Sequence, residues 1–212
     1  MKKTVIVLAF IAALFITEKA QAQLNIHAGY APEMISTRTP THDTMLFYNG
    51  ICVGLDWEFK LTDKLSLTAG AQYRMNVRDN AEHISHDTIF VHHTIRERQT
   101  LIDIPILLKF NIPAGSFVTI SPFAGPLLSW GINGKTSETR TYPENTESHH
   151  EWYGENGYMN RFNVYAMAGL EMEFKKFTIS FSGRYGFLNL NNRNTGTTTK
   201  AYGFLVSVGH TF

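Results

Sequence analysis

Four stretches of this chain, nine to fourteen residues long, alternate mainly apolar with mainly polar positions, and very few folds admit that pattern. In 65–78, Leu65, Leu67, Ala69, Ala71, Tyr73, Met75 and Val77 alternate with Ser66, Thr68, Gly70, Gln72, Arg74, Asn76 and Arg78. In 51–59, Ile51, Val53, Leu55, Trp57 and Phe59 alternate with Cys52, Gly54, Asp56 and Glu58. The same holds in 161–174, from Phe162 to Phe174, and in 202–212, from Tyr202 to Phe212. A period of two places successive side chains on opposite faces of a β-strand. Strands of soluble proteins average about five or six residues, whereas a tilted strand crossing a bilayer needs about 9–11. Here the polar face carries arginine, glutamate, aspartate and glycine. That suits a narrow polar interior with the apolar face turned to lipid, rather than a sandwich whose apolar face lies inside.

The pattern predicts eight strands, at about 24–31, 48–60, 65–78, 97–111, 117–131, 161–174, 177–189 and 201–212. The second, fourth and sixth connections are then brief: Leu61 to Lys64, Ile112 to Ser116, and Lys175-Lys176. The first, third, fifth and seventh are long and polar, at 32–47, 79–96, 132–160 and 190–200. Short turns at one rim and long loops at the other are the asymmetry of bacterial outer-membrane barrels. The expected fold is therefore all-β: a closed, antiparallel, up-and-down transmembrane β-barrel of about eight strands. Both termini are expected in the periplasm and the long loops outside the cell. Trp57, Phe59, Phe110, Phe174, Phe177 and Phe212 fall near one set of strand ends, and Tyr48, Trp130, Phe162 and Phe187 near the other. These are expected to form two interfacial belts. Pro105, Pro122 and Pro126 each remove a ladder donor, so bulges or local twist are expected there.

The N-terminal segment reads as a targeting signal. Lys2 and Lys3 precede an apolar run from Val5 to Ile16, and Ala20-Gln21-Ala22 supplies the small-x-small cleavage pattern. Residues 1–22 are expected to be removed, and residues 23–212 to form one barrel domain. That portion has 16 basic and 17 acidic side chains. So even a balance argues against nucleic acid as a partner. A single cysteine, Cys52, forbids an internal disulfide. No later run approaches the roughly 18 apolar residues of a membrane helix.

Two stretches resemble a known family. Leu101-Ile-Asp-Ile-Pro-Ile-Leu-Leu-Lys109 is similar to the "L-x-I-P-x-L-L-K" strand of the porin-like outer-membrane β-barrel family abundant in Bacteroidetes. Arg184-Tyr-Gly-Phe-Leu-Asn189 resembles the "Y-G-x-x-N" stretch of its seventh strand. Phe212, with Val206 and Val208 before it, is similar to the C-terminal signal read by the barrel-assembly machinery. The resemblance implies a barrel and a localisation, and no particular activity, although a few relatives take part in secretion or gliding. His210 departs from the otherwise apolar outward face and is expected in the headgroup zone.

The polar face collects Asp56, Glu58, Arg74, Arg78, Asp103, Lys109, Glu171, Glu173 and Arg184. Enclosed charges must pair or stay hydrated, and an eight-stranded barrel is just wide enough to be filled by side chains. An internal ion-paired plug with little or no conductance is expected. Histidines gather in the long connections: His42, His83, His86, His92, His93, His149 and His150, with Asp87, Glu97, Glu147 and Glu151 nearby. Such ligands could hold zinc or copper, but the spacing matches no closed site. Solvated residues that charge at mildly acidic pH are expected instead, with no cofactor or metal. No nucleophile, base and orienting group stand in a catalytic pattern: His27 is inward, and Ser85-His86-Asp87 is merely sequential. The functional expectation is a non-enzymatic anchor whose loops mediate structural or binding interactions, with Tyr142, Trp152, Tyr153 and Tyr158 as candidate binding anchors. Its expected partners are outer-membrane lipid, the assembly machinery and an envelope or extracellular protein. The competing classes are a small pore, a secretion accessory and a lipid-modifying enzyme.

Overall fold

The computed structural model describes residues 22–86, 89–141, 146–155, 157–193 and 196–212, and of 82–86, 89–92 and 141 the backbone alone. The expected signal segment, apart from Ala22, and Tyr142 lie outside the described residues, as do the side chains of His83, His86 and His92.

The described residues form eleven strands. They are β1 (Ala22–Tyr30), β2 (Glu33–Arg38), β3 (Asp43–Lys60), β4 (Leu65–His86), β5 (Ile89–Phe110), β6 (Ile112–Pro113), β7 (Val118–Thr141), β8 (Thr146–Glu151), β9 (Phe162–Phe174), β10 (Phe177–Gly186) and β11 (Thr198–Thr211). Eight of them close a ring in the order β1-β11-β10-β9-β7-β5-β4-β3, with β1 bonded to β3. Every pairing is antiparallel, so the ring has no free edge. β2 resumes the first stave after a break at Ala31-Pro32 and bonds the upper parts of β11 and β3. The expected eight-stave barrel is the fold.

The faces follow the alternation. On β5 the outward Ile102, Ile104, Ile106, Leu108 and Phe110 are all exposed, between 38% and 47%. Their inward neighbours Leu101, Asp103, Leu107 and Lys109 are buried. Nine residues from Ile102 to Phe110 match the length a tilted strand needs to cross a hydrocarbon core. Trp57, Phe110, Phe174, Phe177 and Phe212 are exposed at the short-turn rim, and Trp130, Phe162 and Phe187 at the opposite one. His210 lies outward between Phe177 and Phe212, edge-on to both, with ring centroids 5.2 and 4.7 Å away. Tyr48 is a correction to the expected outer belt. Phe47 and Ile51 take the outward phase of β3, so Tyr48 turns inward and is 2% exposed.

Two further expectations are revised. The connections 32–47, 79–96 and 132–160 are largely strand: β2 pairs with 43–48, β4 and β5 stay paired out to His86 and Ile89, and β7 pairs with β8. The prolines leave the register intact, because an antiparallel residue donates to one neighbour only and a lost donor removes one bond. β7 keeps one register with β9 through both Pro122 and Pro126. The single register shift between β5 and β7 falls between Thr100 and Leu101, where Ile132 is the extra residue on β7.

Candidate functional site

The barrel interior is filled in tiers. At the short-turn end Lys109 bridges Glu58 (3.1 Å) and Glu171 (2.8 Å). Asn111 ties that tier to Ser66 and Ser121. Above it His27 Nδ1 meets Asp56 Oδ2 at 3.0 Å. The cavity beside this pair is about 30 Å³, room for about one water. Next comes a fully buried hub. Arg74 binds Asp103 through Nε (2.7 Å) and Glu33 through Nη1 (3.0 Å). Ser129 donates to Asp103, while Tyr165 and Asn76 donate to Glu33. Arg184 donates to the carbonyls of Ala31 and Pro32 at the break in the first stave.

The mouth is closed by aromatic packing. Trp152 is 1% exposed, edge-on to Tyr48 at 5.8 Å, and donates through Nε1 to Thr136 Oγ1 at 2.7 Å. Tyr48 donates to Glu97, which also pairs with Arg78 at 2.8 Å. Tyr153 accepts from Gln99 and lies against Gly131. Trp152 lies against Gly134, where a Cβ would sit 2.8 Å from the Trp152 Cβ. Two glycines on the inward face of β7 thus make the space the two rings occupy. Tyr158 packs tilted on Trp152. Burial pushes its phenol up to about 12. The raised value means that the folded state holds this proton more tightly, so its contribution is complete below about pH 10 and is lost as pH rises from 10 to 12. In the wild-type minus Y158F difference spectrum, phenolate absorbance is expected to rise near pH 12 when folded and near pH 10 when unfolded.

Beyond the aromatic closure lies an open polar bowl of about 720 Å³, lined by Arg78, Glu97, Glu138, His150, Tyr158 and Arg193 among others. His93 Nε2 lies 2.5 Å from Glu138 Oε1. Hydrogen bonds from His93 and Arg140 hold the Glu138 carboxyl below the usual range. The bowl sits on the inner face of a four-stranded sheet, β4-β5-β7-β8, formed where these strands continue past the apolar band.

The expected interior cluster is largely brought together. Arg74 with Asp103, Lys109 with Glu58 and Glu171, and Arg78 with Glu97 are ion pairs. Asp56 pairs with His27. Arg184 meets carbonyls instead of a carboxylate, and Glu173 lines the groove at the short-turn rim. Glu33 was missed, although it continues the inward phase of Asn25, His27 and Gly29. Glu97 begins the fourth predicted strand but is grouped there with the loop histidines, although it shares the inward phase of Gln99 and Asp103. Trp152 and Tyr153 are corrected from exposed anchors to buried parts of the closure, because the chain after β8 folds back over the mouth. Among the described residues no three histidine, cysteine, aspartate or glutamate side chains gather as a metal would need. With the axis blocked at every tier, planar-bilayer recordings are expected to show no porin-sized steps; such steps would overturn the filled interior.

The chain matches the model of the outer membrane protein beta-barrel domain over residues 18–192. No curated protein matches it. Among solved structures it is similar to Ail, the attachment invasion locus protein of Yersinia pestis, in complex with the heparin analogue sucrose octasulfate. That likeness has 12% identity, 90% of this chain, 99% of that chain and a TM-score of 0.45. It is also similar to a major outer membrane protein from Thermus thermophilus, with 10% identity, 90% of this chain, 99% of that chain and a TM-score of 0.45. A third likeness is to the outer membrane protease OmpT from Escherichia coli, with 10% identity, 92% of this chain, 98% of that chain and a TM-score of 0.40.

Proposed function

The chain belongs to the outer membrane protein beta-barrel domain family, and from that premise we propose that it is a non-enzymatic anchor displaying a binding sheet outside the cell. The family places it in the bacterial outer membrane. In this reading residues 1–22 are a cleaved signal, both termini face the periplasm, and the strand ending at Phe212 addresses the assembly machinery. The plugged interior then serves rigidity, and the β4-β5-β7-β8 sheet is the part offered to an envelope or extracellular protein.

One observation carries this reading. β8 bonds only β7, so among the described residues its outer edge has no strand partner. Unpaired backbone donors and acceptors on an exposed strand are a template for an added strand. On intact cells, a membrane-impermeant maleimide is expected to label S137C in a C52S background, fixing the sheet outside. A photo-crosslinking side chain at Glu147 on β8 is then expected to capture a protein partner, and the same group at Lys64 on the other rim is not. A labelled S137C with no adduct at position 147 would count against the binding role while leaving the orientation standing.

A further inference from the structure

We infer that the outer face of this sheet, where it leaves the membrane, binds the phosphorylated headgroup of a glycolipid of the outer leaflet through Arg98, Lys135 and Arg96. The inference rests on the proposed orientation of the barrel and is independent of the proposed β8 partner.

The position comes first. Outward along β5 the side chains run Ile106, Ile104, Ile102, Thr100, Arg98, Arg96; outward along β7 they run Trp130, Ile132, Asn133, then Lys135 and Ser137. Charge therefore begins within one or two outward positions of the last apolar residue, which is the height of a bilayer headgroup. The extra residue Ile132 resets the phase of β7, so that Lys135 faces outward directly beside Arg98.

The electrostatics come second. Arg98 and Lys135 are direct partners in the β5–β7 ladder. Like charges directly opposite each other on a sheet are destabilising. Neither forms an ion pair among the described residues, although Glu151 is the ladder partner of Lys135 on its other side. Arg96 is held by Asp79 at 2.9 Å, an exposed pair that an incoming anion can share. Arg161, on the neighbouring stave, donates to the carbonyls of Gly131 and Ile132 and lies over the Tyr153 ring, so it belongs to the mouth closure and leaves the outer face to Arg98, Lys135 and Arg96. Guanidinium groups match phosphate oxygens in a two-pronged geometry.

The shape comes third. A groove of about 440 Å³ runs across the face, lined by Arg96, Arg98, Lys135, Ser137, Thr139 and Glu147 among others. Hydroxyls beside the cations suit a sugar phosphate. Glu147 stands at the β8 side of the groove and leaves the cationic β5–β7 side to the anion. Directly below, the exposed Ile102, Trp130 and Ile132 offer acyl chains an apolar wall. A free anion would gain nothing from that wall, which favours a lipid.

The test uses the folded, detergent-purified chain and native mass spectrometry of bound lipid. The probes are diphosphoryl lipid A, its dephosphorylated form, phosphatidylglycerol and inorganic phosphate. Diphosphoryl lipid A is expected to bind about tenfold more tightly than the dephosphorylated form, on the order of one or two interfacial cations. R98Q/K135Q is expected to lose that preference, and K60Q/K64Q, an equal charge loss at the other rim, to keep it. Equal binding of both lipid A forms, or an unchanged R98Q/K135Q, would overturn the site. Equal binding of phosphatidylglycerol would overturn the glycolipid assignment, and binding of inorganic phosphate as tight as lipid A would overturn the lipid. None of these readouts depends on orientation, which the S137C label tests separately.

Discussion

Arg74→Met is expected to destabilise the folded barrel by about 3–5 kcal/mol, the loss seen when one partner of a buried ion pair is removed. Arg74 is 0% exposed, and its removal leaves Glu33 and Asp103 facing each other with 1% and 0% exposure. Among the described residues neither carboxylate has another cation within salt-bridge distance. Arg74→Lys is expected to retain part of the stability, since the charge stays while the fork that reaches both carboxylates is lost. R74M/E33Q/D103N is expected to recover much of the deficit, because no uncompensated charge remains. Urea titration of the protein folded in lipid vesicles measures all three. A midpoint for R74M corresponding to less than about 1 kcal/mol of change would mean that the hub is hydrated rather than sealed.

Ile106→Arg acts from the other side of the same wall. Ile106 is the middle of the five outward positions between Ile102 and Phe110 and is 38% exposed. An arginine at the midplane of a transmembrane barrel costs about 2–4 kcal/mol, and near an interface about 0–1. Ile106→Arg is therefore expected to shift the urea midpoint strongly, and Thr100→Arg, at the edge of the apolar band, very little. Equal shifts at the two positions would mean that the band is not centred where the exposed isoleucines put it.

The sequence made the wall legible because lipid enforces contrast. Where one face meets hydrocarbon and the other a packed polar interior, alternation is forced, and Ile51–Phe59 or Leu65–Val77 can be read at sight. Past the membrane that contrast vanishes. Both faces of 79–81, 93–96 and 135–140 meet water or polar side chains, so the same strands carry no period and resemble loops. The hub was half legible for a related reason. Arg74 and Asp103 stand in alternating segments, whereas Glu33 follows Pro32, a residue that ordinarily ends a strand. Tyr48 misleads because an aromatic at a strand end suits either an interfacial belt or a plug, and Trp152 and Tyr153 because an aromatic in a long polar connection suits either an exposed anchor or a plug. Only three-dimensional closure, with Gly131 and Gly134 making room, decides between them.

The extra residue at Ile132 makes β7 a sentence written in two reading frames. Below it the even-numbered residues Leu128 and Trp130 face out; above it the odd-numbered Lys135, Ser137 and Thr139 do. Deleting Ile132 would join Gly131 to Asn133 in unbroken alternation, so that both halves keep their faces and only the bulge is lost; deleting a residue elsewhere in the stave with the bulge kept would turn one half inside out. Chains descended from a common ancestor with this one should therefore vary freely in length at the hairpin tips, and within this stave should gain or lose a single residue at the bulge rather than on either side of it.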